Sequence, residues 1–316
     1  MKSDNIMQLR GKCSALSVAD NGDVFTLINN TDIYRVSGEE DQEKLFSVNG
    51  VFHSLFYSEE TNTLTVSSVE GTLWVYHAQS QTIKDIVIDD RDIVWTRSVN
   101  IDSVNNQVVF IGYKKQPARS QVFFVDIENN NINRSIEADN GNLNIVASDI
   151  SPDACHIAES SKHGIEVSIR NLSDFTLLHV LDLNASFCSE EKRSSWIPVI
   201  RYSENGKYLI AGTVQGFFVW DVSGSYIVEL CAGVSNLRVV DARIIEDTIH
   251  VILAENNIEG VNCWYATYSL TGCLKDKYLM LTHPAGVTSA TFTARLSSNG
   301  KHAAVVNDNF LSLFEF

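Results

Sequence analysis

The sequence predicts an all-β fold: a seven-bladed β-propeller with four antiparallel strands per blade and an N-terminal strand closing the last blade. Three observations predict it. Short runs rich in Val, Ile, Phe, Tyr and Thr are separated by tight polar turns, among them ADNGD, SEETNT, DSVNNQ, SPDA, SENGK, IEDT and SSNGK. That is the hairpin signature, repeated. One strand type recurs, as DIYRV, TLWVY, VFFVDI, EVSIR, FFVWD, WYATYS and LSLFEF. Finally, apolar residues alternate with polar ones only over short runs, so nothing reads as a long amphipathic helix.

The recurrent strand sets the period. Anchored on Tyr34, Tyr76, Val125, Ile169, Trp220, Tyr268 and Phe314, its spacings are 42, 49, 44, 51, 48 and 46 residues. Two strands joined by a tight turn precede each anchor. A fourth follows each of the first six, for example KLFSV, IKDIVI, TLLHVL and YIVEL. A single unit cannot bury both of its faces, so its neighbours must do so. The units run approximately 13–49, 51–89, 94–138, 144–184, 196–232, 237–283 and 287–316, within a single domain spanning 1–316. The last unit stops at its third strand. Asn5–Arg10 (NIMQLR) is the spare strand that would complete it, removing two exposed edges.

Composition narrows the partners. The 316 residues carry 24 Lys+Arg against 39 Asp+Glu, a formal net charge of −15. Binders of nucleic-acid backbones or anionic membranes need a basic field, so direct nucleic-acid binding is not expected. The N-terminal MKSDNIMQLRGKC lacks an apolar core, so no secretory signal is expected. No apolar run approaches the length of a membrane span. The six cysteines (13, 155, 188, 231, 263, 273) are scattered without a C-x-x-C pair. Reduced thiols and an intracellular location, cytoplasmic or nuclear, are the expectation.

The fifth unit, Ile200–Val222 (IRYSENGKYLIAGTVQGFFVWDV), carries the family resemblance. Its Ser-Glu-Asn-Gly turn, its Ala211-Gly212-Thr213 with Gly216, and its Trp220-Asp221 dipeptide resemble a WD-repeat unit. SSVEGTLWVY and ISPDACHIAESSKHGIEVSI are partial matches. The family's Gly-His dipeptide is absent. Glu70, His163 and Gln215 stand where its turn aspartate belongs. The chain is therefore similar to a divergent WD-repeat propeller.

No G-x-S-x-G, P-loop, G-x-G-x-x-G or H-E-x-x-H is present, and no catalytic residue, metal or cofactor is assigned. Cys155, His156 and His163 are too poorly spaced for a zinc finger. In WD-repeat propellers the wider face carries the loops between strands two and three and those from strand four into the next blade. Segments exceeding turn length fall in those classes here: Tyr113–Ser120, Asn184–Ser195, Glu255–Gly260 and Leu281–Gly286. Aligning the starts of the innermost strands places Cys13, His53, Trp95, Asn144, Trp196, Arg238 and Thr288 around the mouth of that face. Trp and Arg dominate interface energetics. His53, Trp95, Asn144, Trp196 and Arg238 are thus the candidate partner-binding residues. Lys114, Lys115 and Arg119, a basic hairpin tip in an acidic chain, are candidates for contacting acidic groups.

The resemblance implies a non-catalytic scaffold or peptide-binding subunit of an intracellular multiprotein complex, a monomeric propeller among protein partners. A propeller hydrolase with a channel metal, acting on a small ester or lactone, and a small-ligand sensor are the alternatives.

Overall fold

A computed structural model of the chain describes residues 2–316 apart from 39–40, 69–70, 88–97, 116–117, 130, 138–144, 162–165, 183–196, 215, 224–225, 232–236, 259 and 285–291. Among the described residues there are 28 strands and no helix. They form seven sheets of four strands, the architecture of a seven-bladed β-propeller. The chain divides into two compact units, Met1–Ile145 with Lys301–Phe316, and Val146–Gly300.

The chain opens with β1 (Lys2–Gln8). The first full sheet is β2 (Cys13–Val18), β3 (Val24–Ile28), β4 (Asp32–Ser37) and β5 (Asp41–Ser47). The next is β6 (Phe52–Ser58), β7 (Thr63–Ser68), β8 (Thr72–His77) and β9 (Thr82–Val87). The third is β10 (Ser98–Asp102), β11 (Gln107–Lys115), β12 (Ala118–Asp126) and β13 (Ile132–Glu137). The following three sheets are β14 (Ile145–Ile150), β15 (His156–Ser161), β16 (Glu166–Asn171) and β17 (Leu177–Asp182); then β18 (Val199–Tyr202), β19 (Tyr208–Gly212), β20 (Gly216–Asp221) and β21 (Tyr226–Cys231); then β22 (Leu237–Ile245), β23 (Thr248–Asn257), β24 (Gly260–Ser269) and β25 (Leu274–Pro284). Last come β26 (Phe292–Leu296), β27 (His302–Asn307) and β28 (Phe310–Glu315), in a sheet ordered β1-β28-β27-β26.

The N-terminal strand therefore completes the last sheet. It pairs with β28 from Lys2↔Glu315 to Gln8↔Phe310, starting three residues and ending two residues before the Asn5–Arg10 expected from the sequence. Leu9 continues the contact, its N–H donating to the Asn309 carbonyl at 2.7 Å. Met7 and Leu9 are buried with Leu16, Val24, Tyr34, Val306 and Leu311 in one apolar cluster.

Burial follows position within each sheet. Every residue of β3 and β7 is buried, whereas β9, β13 and β17 are exposed along almost their whole length. A second strand is covered on both faces, so it reads as a continuous apolar or small-residue run; a fourth strand borders water. The first strands pack on one another, β2 on β6 and β6 on β10 in the first unit, β18 on β22 and β22 on β26 in the second. Gly212 in β19 marks how closely such neighbours approach. A Cβ there would stand 2.6 Å from Cγ1 of Val239.

The hairpin turns repeat one chemistry. The hydroxyls of Ser151, Ser203 and Ser297 donate to Asp153, Asn205 and Asn299, each two residues ahead, at 2.6–2.8 Å. The fourth turn residue is left-handed in each case: Ala154, Gly206 and Gly300 have φ of 54°, 69° and 68°. Side-chain caps of this kind fix the turn whether proline is present, as at Pro152, or absent, as in the other two.

Three segments expected as long loops are strand instead. Lys114 pairs with Arg119 and Lys115 with Ala118, so β11 and β12 continue as a paired ladder through 113–115 and 118–120. Glu255↔Asn262 through Asn257↔Gly260 carry the β23–β24 ladder to its end. β25 runs through Leu281 to Pro284. Polar composition misled here, because a hairpin projecting beyond the core needs its backbone paired but no apolar face. The segment Asn184–Ser195 lies outside the described residues.

Candidate functional site

The residues singled out from the sequence fall unevenly within what is described. Trp95, Asn144, Trp196 and Thr288 lie outside the described residues. The backbones of His53 in β6, Lys114 and Lys115 in β11 and Arg119 in β12 are strand, and their side chains lie outside the described set. Cys13 opens β2. Burial pushes its thiol pKa up to about 12, against hydrogen bonds to the backbone at Ala15 and Leu27 that favour the thiolate. Buried Cys263 is likewise pushed up to about 12. Both are poor nucleophiles at neutral pH. Cys13, Cys155, Cys263 and Cys273 are free thiols.

Arg238 is placed fully, and its surroundings were not legible beforehand. It is the second residue of β22, half-buried, and burial holds its guanidinium below the ordinary arginine range. Three more arginines of the same unit lie close enough for their charges to interact: Arg201 in β18, Arg243 in β22 and Arg295 in β26. These three occupy one structural position. Arg201 and Arg295 each stand two residues before the turn serine of their hairpin, and Arg243 stands two before Ile245 at the matching place. The registers agree, Arg201 opposite Ile210 and Arg243 opposite His250. Asp149, two residues before Ser151, holds that position in β14.

Each arginine is half-buried between buried neighbours: Ile200 and Tyr202, Ala242 and Ile244, Ala294 and Leu296. Arg201 and Arg295 fold back on their own strands, donating Nη1–H to the carbonyls of Ile200 at 2.8 Å and Ala294 at 2.9 Å. Among the described residues, Asp241 and Asp149 lie beside these arginines. Asp241 is fully buried. Its Oδ2 accepts the Leu296 N–H at 2.9 Å, and its Oδ1 lies 4.0 Å from Nη2 of Arg201. Asp149 Oδ2 accepts the Tyr202 N–H at 2.7 Å. Both carboxylates thus bind the backbone of the next first strand. Ser17 does the same in the first unit, its Oγ accepting the Tyr57 N–H at 3.1 Å.

Burial pushes the Asp149 carboxyl up, against the opposing pull of Arg201, the Tyr202 amide and Arg243. Burial also lowers Arg295; Asp241 works against that, while Arg201, Arg243 and Arg238 reinforce it by like-charge repulsion. Arg170 in β16 is 2% exposed and pairs with Glu159 at 2.6 Å. The sequence did carry a signal for the cluster: R-Y-S-E-N-G and R-L-S-S-N-G repeat the same Arg at the same offset from the turn, with D-I-S-P-D-A as the acidic counterpart.

The first unit holds an open cavity of about 280 Å³ bordered by Asp23, Arg35, Glu43, Tyr57, Glu59 and Tyr76. Asp23 is already engaged there by Arg35, Ser37 and Asn21. Among the described residues, no group of three or more His, Cys, Asp or Glu is arranged to hold a metal ion.

No protein-family model and no curated protein matches this chain. Among solved structures, a chain from the crystal structure of the mitotic checkpoint complex is similar over 99% of this chain and 91% of its own, with a TM-score of 0.72 at 12% sequence identity. At that identity the likeness is one of fold. It agrees with the propeller architecture of the seven sheets.

Proposed function

We propose that this protein is a non-catalytic interaction module, a propeller subunit that docks other proteins within an intracellular multiprotein complex. The observation that supports this reading is the whole-chain likeness to a chain solved inside such a complex, over 99% of the sequence. Fold alone does not give function, so the reading rests also on what the chain offers a partner. A β-only framework holds its connecting turns rigidly, and loops on a rigid framework commonly carry recognition. The proposed contacts are His53, Trp95, Asn144, Trp196 and Arg238, with Lys114, Lys115 and Arg119 engaging acidic groups. Aromatic and arginine side chains contribute most where they are desolvated by a partner.

Affinity purification of the tagged protein from its own cell at moderate salt tests the reading, with a Trp95→Ala/Trp196→Ala/Arg238→Glu variant alongside. The expected result is a stoichiometric partner that the variant loses while keeping the wild-type melting temperature. Absence of any stoichiometric partner from soluble, folded protein would reject the module reading. A partner retained by the variant would reject the assigned residues.

A further inference from the structure

We propose that the cavity between the first two full sheets is a binding site for a guanidinium group, carried as an arginine side chain on a protein partner. The carrier rests on the interaction reading; the chemistry of the site does not.

Position and size are the first argument. The cavity of about 280 Å³ is walled from both sheets: Asp23, Arg35 and Glu43 come from the first, and Tyr57, Glu59 and Tyr76 from the second. Sites for drug-sized ligands span about 300–1,000 Å³, so this volume suits one side chain rather than a cofactor. Asp23 opens β3, Tyr57 lies near the end of β6 and Glu59 follows it, so the cavity sits at the ends of the strands where the β2–β3 and β6–β7 turns fall. His53 begins β6 and lies at the other end. The site is therefore distinct from the contact proposed there.

The walls are the second argument. Phe25 stacks on Tyr57 with ring centroids 4.5 Å apart, and Phe46 packs on Tyr76 at 5.3 Å. The Tyr57 hydroxyl donates to Asn62 Oδ1 at 3.0 Å. Both rings are thus held in place. Tyrosine rings attract cations, and a planar guanidinium stacks on them as an ammonium cannot.

Charge is the third. Asp23 and Arg35 neutralise each other, with Arg35 Nε donating to Asp23 Oδ2 at 2.9 Å. Among the described residues lining the cavity, Arg35 is the one basic side chain. Glu43 is exposed, and Glu59 Oε1 accepts the Asp20 N–H, a neutral donor. Two carboxylates are left over beside the rings. Burial raises the phenol pKa of both tyrosines; Glu59 adds to this at Tyr57 and Glu43 at Tyr76, and Arg35 opposes each more weakly. An incoming guanidinium supplies the missing countercharge, with donors enough for both glutamates.

The alternative is a solvent-filled gap whose glutamates only face water. Ligand-detected NMR on the full-length protein decides, with a capped Ala-Arg-Ala peptide, its lysine and citrulline counterparts, and free arginine as probes. Citrulline keeps the shape of arginine and removes the charge. One side chain is expected to bind weakly but saturably, at about millimolar concentration. The arginine peptide should bind more tightly than the lysine peptide, and the citrulline peptide should not bind. Glu43→Gln/Glu59→Gln should weaken binding at least about fivefold at an unchanged melting temperature, because the new amide oxygen still accepts the Asp20 N–H. A chain of net charge −15 attracts any cation. Glu204→Gln/Glu246→Gln, which removes two exposed carboxylates elsewhere, is the control and should bind as wild type does. The proposal is overturned if no arginine probe binds saturably, if the lysine or citrulline peptide matches the arginine peptide, if the two double variants behave alike, or if free arginine binds more tightly than the peptide. Failure to purify a partner while the arginine peptide still binds would reject the interaction reading and not the guanidinium site.

Discussion

At the scale of single residues, the polar network around Asp23 shows how this chain stabilises a turn without glycine or proline doing all of it. Asp23 sits at the end of the first hairpin turn and is buried. Its Oδ1 accepts the Ser37 hydroxyl at 2.7 Å, and its Oδ2 accepts Nε of Arg35 and the Asn21 amide, both at 2.9 Å. Burial opposes its charge, but the hydrogen bonds from Ser37, Arg35 and Asn21 outweigh it and hold the carboxyl below the ordinary value. As pH falls, the unfolded chain therefore takes up this proton before the folded one does. The stabilisation is complete above the unfolded aspartate pKa of about 3.9 and is lost as pH drops through the lower folded value. Asp23→Asn is expected to lower stability by about 1 kcal/mol at neutral pH, a modest figure because the Arg35 side chain is 43% exposed. Urea unfolding at neutral pH and again below about pH 3.5 checks this. The deficit should narrow in acid, and a deficit independent of pH would reject the linkage.

At the scale of elements, closure of the last sheet is the feature with the clearest consequence. β1 supplies the outer neighbour of β28, and Met7 and Leu9 are 8% and 3% exposed. Deleting residues 1–10 removes both side chains from their cluster and bares the edge of β28. Losing a large buried apolar side chain costs about 2–5 kcal/mol, and an unpaired strand edge invites association with another chain. The truncated protein is expected to melt several degrees lower and to self-associate, read by thermal melting and light scattering. A monomeric truncation with an unchanged melting temperature would show that β1 contributes little. The third strands show a second elemental regularity. Register shifts recur beside Tyr34, Val125, Ile169, Trp220 and Tyr268, the residues that anchor the sequence period. A bulge increases local twist; the second sheet keeps its register at Tyr76 without one.

At the scale of the whole molecule, net charge is the dominant long-range term. An excess of 15 negative charges makes the compact state repel itself, more so at low ionic strength. Raising sodium chloride from a few millimolar to physiological strength shortens the screening length to about 8 Å. The melting temperature is expected to rise by about 2 °C or more over that range, measured by calorimetry in a buffer without phosphate. A fall would mean that favourable ion pairs, such as Lys44–Asp32 at 2.8 Å, outweigh the net repulsion.

The sequence by itself determined the repeating unit, the number of sheets and the origin of the last strand. Those follow from local chemistry: alternation, turn residues such as Ser203-Glu204-Asn205-Gly206, and the spacing of aromatic and β-branched anchors are all readable along the chain. It did not determine where polar hairpins end, because at Glu255–Gly260 the ladder continues on backbone hydrogen bonds that any residue can make. Nor did the Arg repeated in R-Y-S-E-N-G and R-L-S-S-N-G show that these arginines lie near one another. Arg201, Arg243 and Arg295 are about 40 to 50 residues apart, and each alone reads as an ordinary charged residue near a turn. Only the packing of β18 on β22 and of β22 on β26 brings their charges together. Electrostatic energy depends on distance through space and on shielding from water, and tertiary structure alone decides both.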